Sequence, residues 1–176
     1  MKTLIIITHP NMQDSVINKR WTEELKRYPE KFCVHELYRE YPDEKIDVEK
    51  EQKLVEQYDR IVFQFPFYWF NVPSMLKKWM DEVLTHGWAY GSKSGFKMSG
   101  KKIALAISVG VKLEEYSCGG TYKYTMDELT RPYELSFEYV KADYRRFFVF
   151  DGLDHDISAE RVDESIPMYL DFIENF

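Results

Sequence analysis

Three short segments carry the residue types from which a binding or redox site could be built. The first, THPNMQDS from Thr8 to Ser15, joins an apolar run to an amphipathic one and contains no glycine. It therefore cannot form the glycine-rich phosphate cradle of a Rossmann or Walker loop. Its polar groups, His9, Asn11, Ser15 and the nearby Asn18, can instead donate side-chain hydrogen bonds to an anion at the start of the following helix. The same residues read equally as a polar connection capped by Ser15.

The second segment, QFPFYWFNVP, places Phe67, Tyr68, Trp69 and Phe70 between a strand end and Pro73. Connections lie on the surface and keep a polar backbone, so such a cluster either packs on the core or a partner chain, or walls a flat apolar ligand. An isoalloxazine ring is a ligand of that shape, and the backbone groups of the loop could read its polar edge. The third segment, SVGVKLEEYSCGGTYKYT, is long and glycine-bearing. Gly110 would let the backbone approach a ring closely. Tyr116 and Tyr122 offer hydroxyls able to stabilise charge on a reduced ring, and each reads otherwise as an ordinary half-buried side chain. Cys118 has no neighbouring cysteine or basic group and is expected to be structural.

Other chemistries lack their residues. His9, His35, His86 and His155 show no ligand spacing, which argues against a metal site. His35 falls in a strand pattern and reads as a packed or exposed side chain. No G-x-S-x-G elbow is present. A net charge of −6 without a basic run argues against nucleic acid and against an anionic membrane surface. Two cysteines, Cys33 and Cys118, make no disulfide framework and suit a reducing compartment. The apolar start is much shorter than a signal-peptide core or a membrane span, so the expectation is a soluble cytoplasmic protein without membrane insertion.

These segments need elements to hold them. The chain has 176 residues, 44% of them hydrophobic, enough for one domain over residues 1–176 with a single well-packed core. Apolar runs at Thr3–Thr8, Phe32–Leu37, Arg60–Phe65, Lys102–Ser108 and Arg146–Phe150 alternate with amphipathic segments. The first, third and fourth runs are nearly continuous in apolar residues, as strands covered on both faces should be. Helical spacing follows Ser15, spans roughly Val48–Val55, and is clearest after Pro73, where Met75, Leu76, Trp79, Met80, Val83 and Leu84 share a face. Met126–Ala142 and Ser158–Phe176 supply two more helices, each with a proline, Pro132 or Pro167, expected to kink it or start a new turn. Five strands and five helices in alternation fit an α/β doubly wound parallel sheet of order 2-1-3-4-5, with helices on both faces. In that order the three segments meet at the carboxyl ends of strands one, three and four, where ligands bind.

The stretch VFQFPFYWFNVPSMLKKWMDEVLTHGWAYG, Val62 to Gly91, resembles the FQFP-x-x-W-x-x-x-P-x-x-L-K-x-W…AYG pattern of the flavodoxin-like NAD(P)H:quinone oxidoreductases. MDELTRPYE, Met126 to Glu134, is similar to the bacterial branch, which includes general-stress oxidoreductases and ancillary subunits of potassium efflux systems. The resemblance implies a flavin enzyme passing two electrons, as hydride, from NAD(P)H to quinones or related acceptors. A flavodoxin-like electron carrier and a flavin-binding regulatory subunit touching a membrane transporter are the alternatives. It implies FMN, or else FAD, with His9, Asn11, Ser15, Val16 and Asn18 in the phosphate loop. Pro66, Phe67, Tyr68, Trp69 and Phe70 would lie along the ring, and Ser108, Val109, Gly110 and Val111 would complete its edge. Tyr116 matches the family tyrosine near the flavin C2 carbonyl. Tyr122 stands where some members carry a relay histidine, and Val111 stands where they carry a second glycine. Tyr90 and Phe70 correspond to aromatics of the substrate pocket, Tyr90 being supplied across the interface of a homodimer.

Overall fold

The computed structural model describes residues 2–93 and 95–176. Five parallel strands form one sheet: β1 (Thr3–Ile7), β2 (Phe32–Glu36), β3 (Arg60–Pro66), β4 (Lys102–Ser108) and β5 (Asp143–Phe150), in the order β2-β1-β3-β4-β5. The expected order is therefore the observed one. The central strands are buried along nearly their whole length, as their unbroken apolar runs require.

Alternation along each strand sorts side chains between two helical layers. Ile5 and Ile7 face α1 (Ile17–Leu25) and α6 (Ala159–Asn175), whereas Leu4 and Ile6 face the layer of α3 (Val48–Glu56), α4 (Ser74–Val83) and α5 (Met126–Tyr139). Trp21 stacks on Tyr169 at 4.5 Å in the first layer, and Trp79 meets Phe63 edge-on at 5.4 Å in the second.

Element ends depart from the sequence reading at several places. Leu37, expected to finish the second strand, starts a one-turn helix, α2 (Leu37–Glu40), because its fully buried side chain is used in the core beneath α4. Among the described residues the α-helices therefore number six, not five, with one further 3-10 turn at Leu113–Glu115. β5 starts at Asp143, with a register shift opposite Ile103/Ala104 that breaks the alternation before Arg146. Pro73 sits at the cap of α4 rather than within its first turn. Pro132 and Pro167 lie inside helices that continue through them. Ser15 does not cap α1: Val16 occupies the cap position and no side chain bonds the first-turn amides.

Candidate functional site

The carboxyl ends of β3 and β4 are level, with Pro66 paired to Ser108, and β1 ends two residues short of them, with Ile7 paired to Gln64. The three segments leave the sheet there and surround a cleft of about 620 Å³, within the range of small-molecule sites. Its lining includes His9, Asn11, Ser15, Val16, Asn18, Pro66, Phe67, Tyr68, Trp69, Phe70, Ser108, Gly110, Val111, Tyr116 and Tyr122. Val109 lies behind this surface, 2% exposed. Tyr90 is elsewhere: its ring meets His86 and Tyr139, each at 5.6 Å, beside a shallow depression with Leu135 and Met80.

A floor of buried amides and hydroxyls supports the cleft. Asn18 Nδ2 donates to Ser108 Oγ at 2.8 Å, and Gln64 Nε2 donates to Asn18 O and Oδ1, both at 3.2 Å. Tyr169 OH donates to Gln64 Oε1 at 2.8 Å. Asn18 and Ser108 thus tie α1 to β4, and their groups are largely used within the chain.

The uncapped start of α1 forms one end of the cleft, where Val16, Ile17 and Asn18 line it. First-turn N–H groups without side-chain partners carry the positive end of the helix dipole and accept an anion. Among the described lining residues there is no lysine or arginine. The Asn11 amide N–H donates to His9 Nδ1 at 3.2 Å, which leaves the ring proton on Nε2 as a donor. Burial holds His9 below the usual imidazole range, so the ring is neutral near pH 7. Asn11 Nδ2 is held by Asp14 at 2.6 Å, and Asp14 also lines the cleft.

Aromatic rings form the opposite walls. Tyr68 and Asn71 exchange two backbone hydrogen bonds of 3.0 Å, so Trp69 and Phe70 occupy the two central positions of a tight turn with φ of 52° and 59°. Non-glycine residues in this left-handed region cost roughly 1–3 kcal/mol each. Trp69 is nonetheless 93% exposed. Phe70 meets Tyr122 edge-on at 4.9 Å, and Tyr122 lies 4.9 Å from Tyr116. Burial, then the neighbouring Tyr122 and Asp154, raise the Tyr116 phenol above its ordinary value, so it remains an O–H donor at neutral pH.

A fourth segment, after β5, was missed from sequence: Leu153, Asp154 and Ile157 complete the lining. Asp154 N donates to Gly110 O at 2.8 Å, and a Cβ on Gly110 would meet the Asp154 carboxylate within 2.5 Å. A side chain at position 110 would thus have to displace the Asp154 carboxylate, a group far along the chain. The rule that ligands bind at strand carboxyl ends could have included FDGLDHD, which follows β5 beside β4.

Flat apolar walls facing an anion-accepting helix start suit an amphiphilic ligand, a planar ring carrying a phosphorylated tail. At the reversal of strand order in such a sheet, this cleft defines a protein of the flavodoxin-like class. The family model Flavodoxin_2, described as the flavodoxin-like fold, matches residues 1–173, and the chain belongs to that family. It is 46% identical over 174 residues to an uncharacterized NAD(P)H oxidoreductase, YrkL, of Bacillus subtilis, covering 99% of this chain and 98% of that one. The crystal structure of general stress protein 14 from Treponema denticola in complex with FMN superimposes with a TM-score of 0.93 at 46% identity, covering 99% and 98% of the two chains. An NADPH-quinone reductase from P. pentosaceus does so with a TM-score of 0.88 at 28% identity, covering 100% and 99%.

Outside the cleft, Glu51 is fully buried and accepts from Tyr41 OH at 2.6 Å, His35 Nε2 at 2.8 Å and Trp79 Nε1 at 2.8 Å. His35 is therefore a packed partner of this carboxylate. Among the described residues no cluster of His, Cys, Asp and Glu could hold a metal ion, and no helix is long and apolar enough to cross a membrane.

Proposed function

We propose that this protein is an FMN-dependent oxidoreductase that takes two electrons from NAD(P)H and passes them to a quinone-like acceptor. The observation that carries this reading is one cleft with aromatic walls at one end and the uncapped start of α1 at the other. The FMN complex of the Treponema denticola relative and the quinone reductase named above support it. FMN rather than FAD suits a cleft with a single anion-accepting helix start.

Bound FMN supplies a centre that accepts two electrons from a nicotinamide and releases them to an acceptor. The first-turn amides of α1, with His9 Nε2–H in the same cleft, would hold the phosphate. Phe67, Tyr68, Trp69 and Phe70 would form the wall against the ring and shield it from water. Tyr116, kept protonated by burial, would supply a hydroxyl able to stabilise negative charge on the reduced ring. Tyr122 packs against both Phe70 and Tyr116 and so supports that phenol from one side. A donor and then an acceptor can share the open side of the cleft in turn, so proximity supplies much of the rate.

A symmetric homodimer completes this reading. Trp69 is almost wholly exposed, and Leu135 and Tyr139 are 58% and 70% exposed beside Tyr90. Pairing two copies would cover these rings and bring the partner's Tyr90 towards the open cleft. Unpaired Cys33 and Cys118 suit the reducing cytoplasm. The test is to purify the protein, release its ligand by heat and identify it by chromatography, with light scattering for mass. FMN and a dimer are expected. A chain that stays colourless after incubation with FMN and FAD refutes the cofactor, and a monomer at micromolar concentration refutes the assembly.

A further inference from the structure

Nothing in the cleft accounts for the MDELTRPYE stretch, which lies in α5 behind the aromatic turn. Its Tyr133 is 6% exposed and packs edge-on against Phe65 at 6.4 Å. The Tyr133 hydroxyl donates to Asn71 Oδ1 and accepts from Val72 N–H at 3.2 Å. Val72 N–H is shared with Asn71 Oδ1 at 2.9 Å, so the three groups form a closed set at the exit of the turn. Burial raises the Tyr133 phenol above its ordinary value, which keeps it a donor at neutral pH.

This set holds a turn that its own residues disfavour. Trp69 and Phe70 are poor occupants of left-handed backbone, and within the turn only the two Tyr68–Asn71 backbone bonds oppose their relaxation. The same helix also fixes the third segment. Thr125 accepts from Glu128 N, and Glu128 reaches back to Thr125 N at 2.8 Å, a capping box that ends the stretch carrying Tyr116 and Tyr122. Both ring walls of the cleft are thus secured to one helix, the third segment at its start and the second at its middle.

We propose that Tyr133 is a positioning residue for the cleft, a latch from α5 that fixes the strained aromatic turn so that Phe70 stays against Tyr122. Its role in ligand binding rests on the flavin reading above; its role in holding the turn does not. The test is Tyr133→Phe, which keeps the packed ring and removes the hydroxyl, with Asn71→Ala as a second variant at an exposed residue. In ligand-free protein, amide hydrogen exchange of Val72 should quicken about fivefold in either variant, the worth of one ordinary hydrogen bond. Exchange along β3 and β4 should not change. The double variant should quicken Val72 exchange beyond either single one, because only it removes both acceptors of that N–H.

With FMN, the dissociation constant should rise by a similar factor in both variants. Unchanged Val72 exchange in Tyr133→Phe, or a double variant no faster than the single ones, would overturn the latch. Faster exchange with an unchanged FMN dissociation constant would overturn the positioning role. If the parent protein binds no FMN while the exchange results hold, the flavin reading fails and the latch stands.

Discussion

Replacing Gln64 by Leu tests the buried floor of the cleft. The Gln64 side chain is fully buried and satisfies two others: it accepts from Tyr169 OH at 2.8 Å and donates to Asn18 Oδ1 at 3.2 Å. Leucine has a similar volume, so no large cavity forms, but both partners lose their bond. Neither can turn towards water. Tyr169 is stacked on Trp21 at 4.5 Å with 15° between the planes, and Asn18 is 2% exposed and held to Ser108. The Asn18 backbone carbonyl suffers less, since Thr22 Oγ1 also donates to it at 2.6 Å. Each orphaned buried group costs about 1–3 kcal/mol, and the apolar side chain returns part of this, so a loss of roughly 2–4 kcal/mol is expected. In a domain of this size that lowers Tm by about 8 °C. Urea and thermal unfolding of Gln64→Leu measure it. Adding Tyr169→Phe should then restore about 1 kcal/mol, since it removes one orphan. A Gln64→Leu protein within 0.5 kcal/mol of the parent, or a further loss on adding Tyr169→Phe, would refute the reasoning.

Three further predictions concern single residues. Tyr116→Phe should slow reduction of the bound flavin by NAD(P)H on the order of tenfold at full occupancy, because charge spread over a ring gains less from one donor than a localised oxyanion does; an unchanged stopped-flow rate would leave Tyr116 a packing residue. Trp69→Gly should raise stability by about 1 kcal/mol in urea unfolding by relieving a positive φ, and should weaken flavin retention by removing a wall. Glu51 responds to acid: burial alone would raise its pKa, but the hydrogen bonds and charge of His35, with bonds from Tyr41 and Trp79, hold it below the ordinary 4.5. A carboxyl lowered in the folded state contributes stability above its ordinary pKa and loses it as pH falls through the folded value. The urea midpoint should therefore drop below pH 4.5, and Glu51→Gln should flatten that part of the profile.

The sheet was legible in the sequence because the buried central strands leave unbroken apolar runs such as TLIII and KIALAIS, and their order follows from handedness rules. Most of the cleft was legible too, since ligand loops fall at strand carboxyl ends. What escaped was non-local or ran against local preference. Ser15 reads as a helix cap, yet its N–H bonds Met12 O at 3.3 Å and α1 starts beyond it, leaving the amides open to a ligand. Nothing in FYWF announces positive φ, because Trp and Phe are among the residues least expected there. Asp154 and Tyr133 act on Gly110 and Asn71 across long stretches of chain, and no spacing rule connects them. Tyr90 carries a family motif, but in one chain it lies beside Tyr139 and away from the cleft, so only an assembly could bring it there.

The central claim is that the cleft holds FMN and lets a nicotinamide reduce it. Anaerobic mixing of the FMN-loaded protein with one equivalent of NADPH or NADH, followed by a quinone, tests this directly. The account predicts that the visible flavin absorbance disappears in one two-electron step and returns on addition of the quinone. A flavin spectrum left unchanged by both nicotinamides would contradict it, and would leave a flavodoxin-like carrier of electrons from another donor.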